Sequence, residues 1–185
     1  LFLGEKGQAK SRLMRLLALP PRLASMAISA AGEGHGRQAC LLGVLLTEQG
    51  LGGSDIDLDI RLRQFRSERS TRAEAARALA GRIARSLPPA QDMSVEASCG
   101  SLLLYAYPDR VALQRGGRGR FVMANGRGAD LPETERLAAS PMLVIADLAG
   151  RAAQLVSTAN ERSWVGVRPR ADGWDHPGAA TALCA

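Results

Sequence analysis

The pair Pro88-Pro89 separates two parts of the sequence that differ in periodicity, and no other feature constrains the fold as much. Before the pair, apolar residues recur at helical spacing, which is typical of amphipathic helices. After it, short apolar runs alternate with glycine-containing turns, which is typical of short strands. Because a proline disfavours helical backbone at the residue before it, the helices should end here. The sequence therefore predicts an α+β fold, with an N-terminal helical bundle followed by a small antiparallel β domain.

The first part predicts several helices joined by short breaks. A leucine-rich stripe ends near Pro20, and Pro21 can occupy the first turn of the next helix, which we place at 22–30. The run 37–48 is apolar on most of its sides. A helix of that kind has to be covered on most sides, so we expect it at the centre of the bundle.

The segment 54–66 is ambiguous, because four aliphatic residues alternate with charged residues as in a strand. We interpret it as a helix, since helices flank it and Ser54 or Asp55 could cap its N-terminus. Residues 71–74 have the Thr-x-x-Glu pattern of a capping box and begin the next predicted helix, which ends before Pro88.

The second part predicts one further helix and four short strands. We expect the helix at 95–106 and the strands at 111–115, 120–124, 141–146 and 152–157. Glycine-containing turns join these strands, with a turn at 147–150 before the last one, which should return antiparallel. Together they indicate a small barrel-like sheet.

These patterns divide the chain into three segments. Residues 1–88 form the helical domain, and residues 89–159 hold the connecting helix and a small arginine-rich β domain. Residues 160–185 have no convincing periodicity, and we expect a poorly ordered tail there. The alternative is that Trp164 and Trp174 dock this segment on the sheet.

Charge and cysteine content limit the class of function. The net charge is +6, and Lys6 and Lys10 are the only lysines among the basic residues. A basic balance indicates an acidic partner, nucleic acid first, although a GC-rich genome also replaces lysine by arginine.

Three scattered cysteines without a Cys-x-x-Cys pair argue against a zinc site and suit the cytoplasm. No apolar stretch approaches the ~18 residues of a membrane span, so we expect no membrane partner.

One segment is close to a phosphate-binding loop. Residues 4–11 match the pattern G-x-x-x-x-G-K-[ST] except that Ala9 replaces the second glycine. Such a loop wraps backbone N–H groups closely around phosphates, and the methyl group of Ala9 would hinder that wrap. Neither a βαβ framework nor an apolar strand ending in a magnesium-binding Asp follows. We therefore favour a polar connection into the first helix over a nucleotide-binding enzyme.

The segment 110–127 carries the strongest functional signal. A glycine-rich turn leaves the backbone open, and the arginines around it could pair with a sugar-phosphate backbone. The predicted nucleic-acid-binding residues are Arg110, Arg115, Arg118, Arg120, Arg127 and Phe121. Phe121, or Tyr107 nearby, would stack on a base if exposed. The alternative is a solvated hairpin whose arginines serve only solubility.

Other polar residues give weaker signals. Eight arginines between residues 61 and 85 predict a charged helix face, which is more commonly a solvated surface than a binding site. His35 and His176 lie in loop-like sequence without a Ser, Cys or carboxylate partner at a suggestive spacing. With no nucleophile–base pair and no paired carboxylates in the pattern, we expect no catalytic residue in this chain.

Three blocks of the sequence resemble the HrpB-type bacterial ATP-dependent RNA helicases of the DEAH/DExH class. The blocks are LALPPRLASM at 17–26, AYPDRVALQRGGRGRFVMANGRGA at 106–129 and LVIADLAG at 143–150. The first is similar to the helicase-associated domain of DEAH-type helicases, and the second is the most specific of the three. Their order and spacing agree with the family, and the resemblance covers roughly residues 10–157.

The resemblance implies the carboxy-terminal, non-motor part of such a helicase: a helicase-associated helical domain plus an OB-like β domain that guides or binds RNA. In the family, two RecA-like motor domains precede this region and hold ATP and magnesium, so the parent protein would be a nucleotide-binding hydrolase. Because the motor motifs are not in this sequence, no catalytic residue carries over and no cofactor is expected in this chain. The expected partners are RNA and the motor domains in cis. The alternative is a protein-interaction module without nucleic-acid binding.

Overall fold

The computed structural model describes residues 14–89, 93, 95–150, 152–158, 168–170 and 173–175. Its helices are α1 Pro21–Gly32, α2 Gly36–Thr47, α3 Leu58–Ser67, α4 Thr71–Arg85 and α5 Cys99–Leu103. Its strands are β1 Val111–Gln114, β2 Arg120–Met123, β3 Gly128–Asp130, β4 Met142–Ala149, β5 Ala152–Thr158, β6 Arg168–Arg170 and β7 Gly173–Asp175. Short 3₁₀ turns, Pro108–Arg110 and Arg136–Ala139, precede β1 and β4.

Helix α2 is the most enclosed of the described helices. It packs against both α1 and α4, and Ala39, Cys40, Leu42 and Val44 are completely buried. Its sequence is apolar on most faces, and burying those faces against two neighbours removes them from water. Burial also raises the pKa of the Cys40 thiol to about 12, so this cysteine acts as a small core residue.

Helix α3 begins later than its alternating pattern indicated. The predicted caps Ser54 and Asp55 are wrong, because Asp57 caps the helix by accepting a hydrogen bond from a backbone N–H of its first turn. The residue before the cap pairs with the barrel, since the carbonyl of Ile56 accepts a hydrogen bond from the N–H of Val156 in β5. The strand-like alternation at 54–66 thus corresponds to real strand pairing only at Ile56, and from Asp57 onward the segment is helical, as predicted.

Helices α4 and α5 both begin after a serine. Ser70 caps α4 by accepting a hydrogen bond from a backbone N–H, one residue before the predicted start of the capping box. Helix α5 covers only five residues of the helix predicted at 95–106. Ser98 caps it, and Asp59 of α3 accepts a hydrogen bond from the N–H of Cys99 at 2.9 Å. This long-range contact helps to fix the start of α5, and local sequence gives no sign of it.

Five strands close into a barrel in the order β1-β2-β3-β5-β4. Neighbouring strands are antiparallel except for β3 and β5, which pair in parallel. The small barrel-like sheet is confirmed and fits an OB-like domain, but the prediction missed β3, which has three residues including a glycine. Strand β4 also continues through the turn predicted at 147–150 as far as Ala149, because two register shifts on either side of Asp147 let its pairing with β5 resume.

The helical part and the barrel are packed together through a common core. Val111, Val144 and Ala146 of the strands belong to the same apolar cluster as the buried residues of the helices. A second cluster fills the barrel interior and includes Met123 and Ile145. Strand residues of alternating orientation therefore serve both clusters, one on each face of the sheet.

Two ion pairs reinforce this junction. Asp57, at the start of α3, pairs with Arg136 of the 3₁₀ turn before β4. Arg22 of α1 pairs with Asp109 before β1 at 2.6 Å. The two contacts join two different helices to the barrel, in addition to the shared apolar packing.

Within the predicted tail at 160–185, the structure describes residues 168–170 and 173–175, which pair as the antiparallel strands β6 and β7. The rest of that prediction lies outside the described residues, as does the phosphate-loop-like segment 4–11. Of the helices that the structure describes, none has the length and apolarity needed to cross a membrane.

Candidate nucleic-acid interface

The turn between β1 and β2 is built on glycines. Gly116 and Gly119 have φ angles of 82° and 78°, a conformation that residues with side chains rarely adopt. At Gly119 a Cβ atom would lie 2.3 Å from the carbonyl oxygen of Leu131, so only glycine fits. The N–H of Gly119 donates to the carbonyl of Ala138, and the N–H of Leu131 donates to the carbonyl of Gly119. The turn is therefore fixed against the segment that precedes β4.

The five predicted arginines lie at two ends of the barrel rather than in one cluster. Arg115, Arg118 and Arg120 surround the β1–β2 turn. Arg110 and Arg127 lie at the opposite end, where β1 begins and the β2–β3 turn closes. Strand β2 separates the two ends by about 10 Å, at ~3.3 Å per residue.

Four of the five predicted arginines are exposed, and three of these, unlike Arg118, form no side-chain hydrogen bond among the contacts of the described residues. Arg115, Arg120 and Arg127 are exposed, and none of them forms an ion pair with a carboxylate in the described part of the chain. Asp130 lies opposite Arg120 in the β2–β3 register. The charge of the three arginines is therefore available to an external anion.

Arg118 is exposed but also holds the turn in place. Its Nε donates a hydrogen bond to the carbonyl of Glu133 at 2.5 Å, and its Nη2 donates to that of Glu135 at 3.1 Å. Both acceptors are neutral carbonyl groups, so these bonds leave the positive charge of the guanidinium uncompensated. Arg118 thus ties the turn to the segment 133–135 while adding charge to the surface.

Arg110 is held by the fold, in contrast to its prediction as a nucleic-acid contact. Its Nη1 donates to the carbonyl of Ala146 at 2.6 Å, and its guanidinium lies 4.7 Å from the ring centroid of Tyr107. Arg22 of α1 lies over the same ring at 5.6 Å. Burial raises the pKa of the Tyr107 hydroxyl. These contacts place Arg110 and Tyr107 in the junction between α1 and the barrel, so the Arg110 guanidinium is engaged within the chain and the Tyr107 ring is not offered to a base.

Phe121 is a second correction to the predicted site. Its side chain is 2% exposed and packs in the barrel core. Successive side chains of a strand point to opposite faces, so Phe121 points inward where Arg120 points outward. A ring enclosed in the core cannot stack on a base, and Phe121 is therefore removed from the candidate site.

A hollow with a volume of about 410 Å³ opens beside the β1–β2 turn. It is lined by Arg118, Gly119, Arg120, Asp130, Leu131 and Glu133. The sequence did not indicate the two carboxylates as site residues, because their position depends on β3, which its short length concealed. The turn signal Asn125-Gly126 could have revealed Asp130. A strand that follows this turn and pairs antiparallel with β2 brings Asp130 opposite Arg120.

The second basic stretch, between residues 61 and 85, is partly used within the fold. Arg66 pairs with Glu96 at 2.5 Å. Arg77 donates to the carbonyl of Phe65 at 2.7 Å and lies 5.8 Å from the centre of its ring. Five arginines of this stretch are exposed, and one of them, Arg72, also pairs with Glu48; the five are Arg63, Arg69, Arg72, Arg82 and Arg85.

Metal binding and thiol chemistry find little support in the described residues. Among them, no group of three or more His, Cys, Asp or Glu side chains is placed to hold a metal ion. Burial raises the pKa of the Cys99 thiol, as it does for Cys40, so neither has the thiolate character of a reactive cysteine. The described surface offers instead a cationic turn beside a hollow of mixed charge.

Comparisons with known proteins lead to one helicase. No protein-family model matches the chain. The curated ATP-dependent RNA helicase HrpB of Escherichia coli strain K12 is 27% identical over 142 residues, which are 76% of this chain and 16% of that protein. The crystal structure of the E. coli DExH-box NTPase HrpB superposes with a TM-score of 0.69 at 24% identity, covering 93% of this chain and 22% of that one. A crystal structure of the E. coli DEAH/RHA helicase HrpB gives 0.69 at 25% identity, with coverage of 93% and 23%.

This chain spans less than a quarter of the length of these relatives. Sequence and structure comparisons nevertheless agree on the same protein, and both cover most of this chain. The resemblance predicted from the three sequence blocks is therefore confirmed: the chain is similar, in sequence and in fold, to a region of the ATP-dependent RNA helicase HrpB.

Proposed function

We propose that this chain is a carboxy-terminal accessory region of an ATP-dependent RNA helicase and that it binds and guides RNA beside a RecA-like motor. Residues 1–88 would be the helicase-associated helical domain, and the OB-like barrel within 89–159 would contact the RNA. ATP, magnesium and hydrolysis belong to motor domains outside this chain. The similarity to HrpB supports the place in a helicase, and the surface of the barrel supports the contact with nucleic acid.

The observation that carries this proposal is the pair of exposed arginines at the β1–β2 turn. Arg115 and Arg120 have no carboxylate partner among the described residues. A guanidinium that forms no ion pair with the described residues can neutralise a phosphate and release the counterions condensed on the polymer, which favours binding entropically. Arg118 adds a third charge, and the glycines leave room for a phosphate backbone to approach the turn.

The rigidity of the turn favours binding over a role in solubility alone. A solvated hairpin that serves solubility requires no fixed geometry. Here Gly119 and Arg118 attach the turn to residues 131–138, so the backbone that carries the cations is in place before any ligand arrives. Such preorganisation lowers the ordering cost of binding.

Fluorescence anisotropy with a labelled single-stranded oligouridylate tests the proposal. The oligonucleotide should be about 12 nucleotides long, within the site size of an OB-type barrel. The hairpin double variant, Arg115→Ala with Arg120→Ala, should bind about tenfold more weakly or worse at low salt, because two charge-assisted contacts are lost.

A matched control removes the same charge elsewhere. The helix double variant, Arg63→Ala with Arg82→Ala, changes two exposed arginines outside the turn and should bind within about twofold of the unmodified chain. Equal losses in the two double variants would contradict the turn as the contact. Absence of binding by the unmodified chain would contradict the function and favour the protein-interaction module.

A further inference from the structure

The hollow beside the β1–β2 turn combines charges of both signs. Arg118 and Arg120 line it together with Asp130 and Glu133. A site for phosphate alone gains nothing from carboxylates, which repel the ligand. A ligand that carries an anionic group and a neutral hydrogen-bond donor a few ångströms apart would match both signs. A nucleotide within RNA is such a ligand, since its phosphate is anionic and its ribose 2′-hydroxyl donates hydrogen bonds.

We propose that Glu133 accepts a hydrogen bond from a ribose 2′-hydroxyl in this hollow and so makes the site prefer RNA to DNA. The inference rests on the proposed function and deepens it by naming a specificity-determining residue. Arg118 and Arg120 would hold the adjoining phosphates. The hollow, at about 410 Å³, is within the size range of small-ligand sites, ~300–1,000 Å³.

The backbone groups of Gly119 in the hollow are already hydrogen-bonded within the chain, so a ligand would be recognised by side chains. The N–H of Gly119 is bonded to Ala138, and its carbonyl accepts from Leu131. A Cβ atom at Gly119 would collide with the carbonyl of Leu131, so this position has to be glycine and presents only backbone to the hollow. Leu131 itself is 5% exposed, and the polar groups that remain to select a ligand are the charged ends of the lining side chains.

Glu133 is the better of the two candidate acceptors. Asp130 already has an interaction partner in the structure, and it lies opposite Arg120 in the strand ladder. The Glu133 carboxylate is exposed, and it forms no ion pair with a described residue. Its main chain is anchored, because its carbonyl accepts the hydrogen bond from Arg118. The carboxylate is thus placed at a fixed edge of the hollow while its oxygens remain available.

Three oligonucleotides of equal length and base separate hydroxyl recognition from sugar shape. They are oligouridylate, oligodeoxyuridylate and 2′-fluoro-oligouridylate, since fluorine keeps an RNA-like sugar but cannot donate a hydrogen bond. The unmodified chain should bind the RNA about tenfold more tightly than either analogue, as expected for one hydrogen bond to a charged group. RNA-like affinity for the fluorinated strand would overturn the proposal, because it would mean that sugar shape is recognised.

Variants of Glu133 complete the test. Glu133→Ala should bring the RNA-to-DNA affinity ratio close to one, and Glu133→Gln should give an intermediate ratio because an amide oxygen accepts a weaker hydrogen bond. Glu135→Gln is the matched control: it removes the same charge two residues away, outside the hollow, and should keep the ratio. A ratio that survives in Glu133→Ala would overturn the inference, as would equal affinity of the unmodified chain for RNA and DNA. In the latter case nucleic-acid binding itself would stand, whereas failure to bind any of the three strands would refute the proposed function.

Discussion

Arginine is used differently in the helical part and at the barrel turn. Four of the eight arginines between residues 61 and 85 are bonded within the fold, and these are Arg61, Arg66, Arg72 and Arg77. At the β1–β2 turn, Arg115 and Arg120 are exposed without an ion pair among the described residues. Basic content alone therefore does not locate a binding surface. Nearby carboxylates and carbonyls decide whether an arginine stabilises the chain or remains available to a partner.

The junction between the two regions should show the largest effect on stability. Asp57 is 3% exposed, caps α3 and pairs with Arg136 of the barrel. Asp57→Ala removes both contacts and should lower the free energy of unfolding by about 2–3 kcal/mol in urea denaturation. Glu74→Ala, at an exposed carboxylate in the first turn of α4, should change it by less than about 0.5 kcal/mol. Similar small losses in both variants would mean that the two regions do not depend on this contact.

A pair of single arginine variants would sharpen the contrast. Arg77→Ala removes a hydrogen bond to the carbonyl of Phe65 and packing on its ring, and should cost about 1 kcal/mol of stability while leaving RNA affinity unchanged. Arg120→Ala should cost less than about 0.5 kcal/mol and weaken RNA binding. Both effects can be measured on the same preparations by urea denaturation and anisotropy. If both variants lost stability and affinity alike, the two uses of arginine would not be separable.

The smallest expected effect is a loss of stability at alkaline pH, caused by the contact between Tyr105 and Glu33 at the C-terminal end of α1. Tyr105 donates a hydrogen bond to Glu33, and burial, with this bond, raises its pKa to about 12. An unfolded tyrosine ionises near pH 10, so the folded state favours the neutral hydroxyl. This contribution is complete below about pH 10 and is lost as the pH rises from there towards 12. Thermal melting over that range should therefore decline less in Tyr105→Phe than in the unmodified chain, and identical declines would exclude the effect.

The strands near the turn could be predicted from sequence because their signals are local. Short apolar runs on both sides of a glycine-rich segment define β1, the turn and β2. Side chains alternate between the two faces of a strand, so Phe121 and Met123 share one face of β2 and Arg120 lies on the other. An aromatic residue on the apolar face of a barrel strand belongs to the core, so the inward orientation of Phe121 follows from the alternation of β2 alone.

Other features depend on contacts that are distant in sequence. Arg110 is bonded to a carbonyl 36 residues away, and the start of α5 is fixed in part by Asp59, 40 residues before it. Neither partner can be identified from local periodicity or charge. The short strand β3 was concealed for a related reason, because its pairing with β2 and β5, rather than its three residues, gives it strand structure.

The salt dependence of RNA binding tests the central claim most directly. For single strands, the logarithm of the binding constant falls with the logarithm of salt concentration by about 0.7 for each phosphate neutralised. The hairpin double variant, Arg115→Ala with Arg120→Ala, should have a slope shallower by about 1.4 than the unmodified chain, while the helix double variant, Arg63→Ala with Arg82→Ala, should keep the original slope. Parallel lines for the hairpin double variant and the unmodified chain would show that these arginines do not neutralise phosphates, and would contradict the account.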